Sequence, residues 1–110
     1  MDFEYFMYLY QDADRWEEVD FINRHAGRGV ELSSLSLIRE LATSTMRDVT
    51  AIEGLPQRKF SDKYGIPLRT VENWIRETST PPDYVRILLS YAIFADMTLD
   101  KRAGTNEAGG

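Results

Sequence analysis

The sequence predicts an all-α protein, a small helical bundle, and three observations carry that prediction. Apolar residues recur at spacings of three and four along most of the chain. Residue types that begin helices, such as Asp14, Thr45, Pro56 and Pro67, stand just ahead of those apolar stripes, and Gly54 and Gly65 stand just after them. The composition, 43% hydrophobic and 28% charged over 110 residues, suits one soluble core and is too apolar for a wholly disordered chain.

In order along the chain, "DFEYFMYLYQ" places Phe3, Phe6, Met7 and Tyr10 at helical spacing, although its aromatic density also admits a strand. Asp14 and Glu17 have the form of a capping box, so Trp16, Val19 and Ile22 are expected to line a second helix ending near His25, where "AGRG" stops it. Leu37, Ile38 and Leu41 mark a third helix from Ser33 or Ser34, interrupted by the β-branched and hydroxyl run "ATSTM". Thr45 with Asp48 caps a short fourth helix carrying Val49 and Ile52, and Gly54 ends it. Pro56 opens a fifth over Gln57 to Tyr64, with Phe60 and Tyr64 on one face, and Gly65 ends that one. Pro67 opens a sixth with Val71 and Trp74 inward, closed by "ETSTPP". The last is expected from about Pro82 to Phe94, with Val85, Leu88, Leu89 and Ala92 inward. The regions read as an acidic, aromatic-rich helical extension over 1–43, a domain over 44–95 and a flexible tail over 96–110.

Charge and composition narrow the function. With no cysteine, disulfides, thiolate zinc sites and a cysteine nucleophile are excluded. The N-terminus lacks the basic start of a signal peptide and no window is apolar enough for a membrane span, so a cytoplasmic protein is expected. The formal net charge is −5, unfavourable for a nucleic-acid binder, but it is unevenly spread. Residues 1–43 hold nine acids and four bases, whereas residues 54–76 hold Arg58, Lys59, Lys63, Arg69 and Arg76 against Asp62 and Glu72, a local +3. A polyanion responds to that local field more than to the total. No phosphate loop, nucleophile elbow or metal-ligand spacing occurs, so neither enzyme activity, cofactor nor metal is expected. His25, beside a glycine turn, is expected to be a helix C-cap or a solvated side chain, and the carboxylates of "WEEVD" a solvated helix face.

Two helices of about eight and ten residues joined through glycine meet at a steep angle, the geometry of a helix-turn-helix. Phe60, Gly65, Ile66, Val71 and Trp74 take its inward positions, and the small Ser61 stands where the second helix passes close. Any compact helical bundle can use the same pattern for its core alone. The match extends further, however: "TMRDVTAIEGLPQRKFSDKYGIPLRTVENW" and, after a loop, "PPDYVRILLSYA" resemble in order and spacing the Xre/Cro family of helix-turn-helix DNA-binding domains, over residues 45 to 92. The resemblance implies a lambda-repressor-like bundle, here with an N-terminal helical extension. This chain departs from the family in having Pro56 where threonine or serine is common, Ile75 where glutamate is common and Glu77 where glycine is common.

At 100° per residue, Val71 and Trp74 fix the buried side of the sixth helix, and Leu68, Arg69, Glu72, Asn73 and Arg76 then point away from it. Arg69 suits guanine O6 and N7, Asn73 suits adenine N6 and N7, and Leu68 suits a thymine methyl. Glu72 can accept from cytosine N4, or hold Arg69 or Arg76 in place. Arg58, Lys59 and Thr70 are expected to meet the DNA backbone, as is Gln57, whose position in the family tends to face DNA. The expected function is a sequence-specific double-stranded DNA-binding transcriptional regulator, a repressor of a small bacterial or phage-like operon, acting as a homodimer on a palindrome. The alternative is a protein-interaction module, an antitoxin or inhibitor that presents acidic residues 1–43 to a protein partner. The aromatics of that region can equally be extra core.

Overall fold

The computed structural model describes residues 1–109, with side chains through Leu99, and it is all-helical. Its elements are α1 (Phe3–Ala13), α2 (Glu18–His25), α3 (Leu32–Thr43), α4 (Met46–Ala51), α5 (Gln57–Tyr64), α6 (Leu68–Ile75) and α7 (Asp83–Gly109). They form two compact units, Met1–Thr43 with Ile87–Gly110, and Ser44–Arg86. Residues 87–95, read from sequence as part of the second region, thus belong to the same unit as α1, α2 and α3.

In the first unit, α1 begins because the Asp2 carboxylate accepts the Tyr5 N–H at 2.8 Å, satisfying a donor that the first turn leaves open. Its buried positions are Phe6, Leu9 and Ala13, a stripe that replaces the expected Phe3, Met7 and Tyr10, all half-buried. The Phe6 ring lies 5.1 Å from that of Tyr91 and 5.3 Å from that of Phe94, so Phe6 is core, whereas Tyr8 is 50% exposed. α1 and α2 both pack on α3 through Leu35, Ile38 and Leu41; Leu37 is only half-buried.

The start of α2 differs from expectation. Asp14 is the C-cap of α1, and the N-cap of α2 is Glu17, whose side chain makes no capping bond. With the helix starting at Glu18, Trp16 lies outside it and Val19 is 69% exposed; Phe21 and His25, four apart, are the buried pair. Trp16 instead lies under the Arg24 guanidinium, 4.8 Å from its ring centroid, and its carbonyl accepts from Arg39 at 3.2 Å. His25 is neither a cap nor solvated. It is 1% exposed, with Nε2 hydrogen-bonded to Asp12 at 2.8 Å, its ring edge-on to Phe21 and Tyr8, and Nδ1 without a partner. Its place one helical turn after Phe21 aims it inward. Glu17, Glu18 and Asp20 are exposed.

α7 continues well past Phe94, since "ADMTLDKRA" holds no proline or glycine before Gly104. It therefore overlaps the expected tail over 96–110, whose side chains from residue 100 on lie outside the described residues. Of the residues expected inward, Leu89 is buried, Val85 and Ala92 are half-buried and Leu88 is 53% exposed; Ser90, Ile93 and Phe94 are buried as well.

The second unit follows the sequence closely. Thr45 caps α4 by accepting the Asp48 N–H, and α4 and α5 both pack on α6. Phe60, Val71 and Trp74 are buried, each such side chain contributing about 1.5–3 kcal/mol. Tyr64, expected to share the buried face of α5 with Phe60, is half-buried, its ring 4.9 Å from the Phe60 ring. An Arg86 guanidinium N–H donates to the Ser44 carbonyl and ties the two ends of the unit together.

Candidate functional site

The turn between α5 and α6 is determined by six consecutive residues. Gly65 adopts φ +65°, a left-handed conformation open to glycine at little cost. The Ile66 N–H donates to the Ser61 carbonyl at 3.1 Å, and the Ser61 hydroxyl donates back to the Ile66 carbonyl. Ser61 is therefore needed here as a hydrogen-bonding group as well as for its small size, and it is buried.

Along α6, Val71 and Trp74 are buried and the five residues expected to read bases are not. Leu68, Glu72, Arg76, Arg69 and Asn73 occupy an arc of about 140° on the far side. Arg69 and Arg76 are exposed, whereas Leu68, Glu72 and Asn73 are half-buried. Glu72 lies 3.8 Å from Arg76, the (i, i+4) pairing, so it steadies that guanidinium and partly offsets its charge. Thr70 is half-buried and turned about 60° beyond Asn73, on the flank of the helix next to Trp74. Gln57, Arg58 and Lys59 form the first turn of α5 and all three are exposed. Arg58, Lys59 and Arg69 have no ion-pair partner among the described residues.

Two of the departures from the resembled family acquire a physical meaning. Pro56 is the N-cap of α5 and offers no side-chain acceptor, so the N–H groups of that first turn lack the usual hydroxyl cap. Glu77 has φ +62°, the one positive φ outside glycine among the described residues. It ends α6 in a Schellman arrangement: its N–H reaches the Trp74 carbonyl at 3.1 Å and the Thr78 N–H reaches that of Asn73 at 3.0 Å. A glycine would take that conformation freely, whereas glutamate is strained in it.

A cluster at the other end of α5 has no signal in the periodicity. Glu53 is nearly buried, pairs with Lys63 at 2.6 Å and accepts the Tyr64 hydroxyl. Lys63 is thereby committed to a structural contact. With Glu53 and Glu77 counted, the five bases of this stretch face four acids, and the positive field is confined to the individual faces carrying Arg58, Lys59 and Arg69. In the first unit a cavity of about 590 Å³, lined among others by Tyr5, Arg28, Ser34, Leu37 and Met97, also had no counterpart in the sequence pattern. No helix among the described residues is long and apolar enough to cross a membrane. Comparison with protein-family models, with curated proteins and with solved structures gave no significant match.

Proposed function

We propose that the protein is a sequence-specific double-stranded DNA-binding regulator of transcription, a repressor of a small operon, that reads its site with α6. The observation that carries this reading is the outer arc of α6, with Arg69 and Asn73 unburied on a helix held over α5 by the Ser61–Ile66 turn. Arg69 offers two parallel donors to guanine and Asn73 a donor and an acceptor to adenine, so one rigid helix face presents base-specific chemistry. The first turn of α5, with free backbone N–H groups beside Gln57, Arg58 and Lys59, suits a phosphate. Occupancy of the operator is the whole mechanism, with no bond made or broken.

Fluorescence anisotropy with DNA from upstream of the protein's own coding sequence, at two salt concentrations, tests this. Arg69→Ala is expected to weaken specific binding by about 1–3 kcal/mol, and Lys59→Ala to weaken all sequences alike and reduce the salt slope by about one. Unchanged affinity in both variants would refute the assignment of the reading face.

A second reading is favoured by one observation: eight of the nine acids in residues 1–43 are exposed. That surface suits a basic protein partner, as in an antitoxin or inhibitor. Absence of any DNA shift at low salt, together with co-elution with a protein encoded alongside, would select it over the first.

A further inference from the structure

The first turn of α3 carries the small side chains of Ser33 and Ser34 where larger ones would fill the space toward α1 and α7. About 590 Å³ is left open there, within the roughly 300–1,000 Å³ of pockets that hold small organic molecules. Its walls are apolar. Leu37 and Met97 are half-buried, Phe94 is buried, and Met1 and Tyr5 complete the lining on the α1 side. Thr98 adds little polarity, because its hydroxyl already donates to the Phe94 carbonyl at 2.9 Å.

The polar groups of the cavity come instead from one stretch of chain, residues 28–34. Arg28 is exposed and has no ion-pair partner among the described residues. The Ser34 hydroxyl is half-buried and makes no hydrogen bond among them. Glu31 accepts the Ser33 hydroxyl at 3.5 Å and leaves Arg28 unpaired.

We infer that this cavity binds an amphipathic carboxylic acid, its carboxylate against Arg28 and the Ser34 hydroxyl and its hydrocarbon body against Leu37, Phe94 and Met97. A guanidinium presents two parallel donors that match the two oxygens of a carboxylate. A single negative charge suits the site better than a doubly charged phosphate, which the nearby Glu31 would oppose. The body of the ligand meets side chains that adapt to it, since methionine is unbranched, polarizable and able to follow a flexible chain. The volume admits a chain of about ten to sixteen carbons, more than a free amino acid supplies. The inference concerns the first unit alone and holds whether or not α6 reads DNA.

Titration of the full chain with decanoate, followed by the methyl resonances of its four methionines, tests this, because Met1 and Met97 line the cavity while Met7 and Met46 do not. The Met1 and Met97 signals are expected to shift saturably, with a dissociation constant on the order of 100 μM, and the other two to stay in place. 1-Decanol, which keeps the chain and lacks the charge, is expected to bind roughly tenfold more weakly. Arg28→Gln is expected to weaken decanoate roughly tenfold, to leave 1-decanol unchanged and to keep the far-UV circular dichroism spectrum, since Arg28 is exposed. Glu31→Gln is expected to tighten decanoate about twofold by removing the opposing charge. No saturable shift at Met1 and Met97 up to about 2 mM decanoate, equal shifts at all four methionines, equal affinity for 1-decanol, or an unaltered Arg28→Gln would each overturn the inference. Tighter binding of L-tryptophan than of decanoate, lost in Glu31→Gln, would overturn it in favour of a zwitterion held by Arg28 and Glu31 together.

Discussion

Replacing Glu77 with glycine is expected to stabilise the unit formed by residues 44–86. At φ +62° an L-residue carries a strain of about 1–2 kcal/mol, from the approach of Cβ to the following carbonyl oxygen. Glycine removes that strain but returns about 0.5–1 kcal/mol through the greater freedom of the unfolded chain. Glu77 is exposed, so no packing is lost, and removing a negative charge from the C-terminal end of α6 contributes a few tenths of a kcal/mol more. The net gain is about 1 kcal/mol, or about 3–6 °C in melting temperature. Glu77→Ala is the control, since it removes the charge and keeps the Cβ. Tryptophan fluorescence in a Trp16→Phe background reports on this unit alone, because the remaining Trp74 is 5% exposed within it. Urea unfolding of the three proteins should give a midpoint for Glu77→Gly clearly above that of Glu77→Ala. Equal midpoints would mean that charge, and not backbone conformation, limits the stability of this helix end.

Gly65→Ala should act in the opposite sense, destabilising by about 1–2 kcal/mol in the same assay, and the loss is purely conformational because a Cβ there meets nothing within 4 Å. Ser61→Ala should cost about 1 kcal/mol, measured by the urea midpoint, through the lost bond to the Ile66 carbonyl. For Asp12, burial pushes the carboxyl up, but hydrogen bonds from His25 and Trp16 and the charge of Arg24 outweigh it and hold the group below its ordinary 3.8. A lowered carboxyl stabilises the fold above its unfolded pKa, and that contribution is lost as pH falls through the folded value. Acid unfolding followed by near-UV circular dichroism should therefore begin below about pH 4, and should be less steep in Asp12→Asn.

The second unit could be anticipated from sequence because its information is local. Thr45 caps three residues ahead, Gly65 closes the helix it follows, and Val71 with Trp74 leaves only one face of α6 to the outside. The first unit was harder for specific reasons. Asp14 and Glu17 have the spacing of a cap, yet Asp14 finishes one helix before Glu17 begins the next. Counting Trp16 into α2 then shifted the phase and hid Phe21 and His25. In α7, a stretch apolar on all sides gives periodicity nothing with which to choose between Leu88 and Leu89. Glu53 lies in the turn between α4 and α5, so its pairing with Lys63 and Tyr64 leaves no mark on the spacing of either helix. On α6, geometry alone indicated which side chains remain uncovered, and of the two arginines open to Glu72 the structure pairs it with Arg76.

The two units differ in how the chain visits them: one is a single uninterrupted stretch, the other is begun, left and resumed after 43 residues. During synthesis, residues 44–86 are complete before any of Ile87–Gly110 exists. Phe6 must wait for Tyr91 and Phe94, and the Met1 carbonyl for a hydroxyl ninety positions later. The aromatic face of α1 is thus left bare while the second unit folds. Closing so long a loop is slow, and uncovered aromatic surface is what chaperones bind and what aggregates when they are absent.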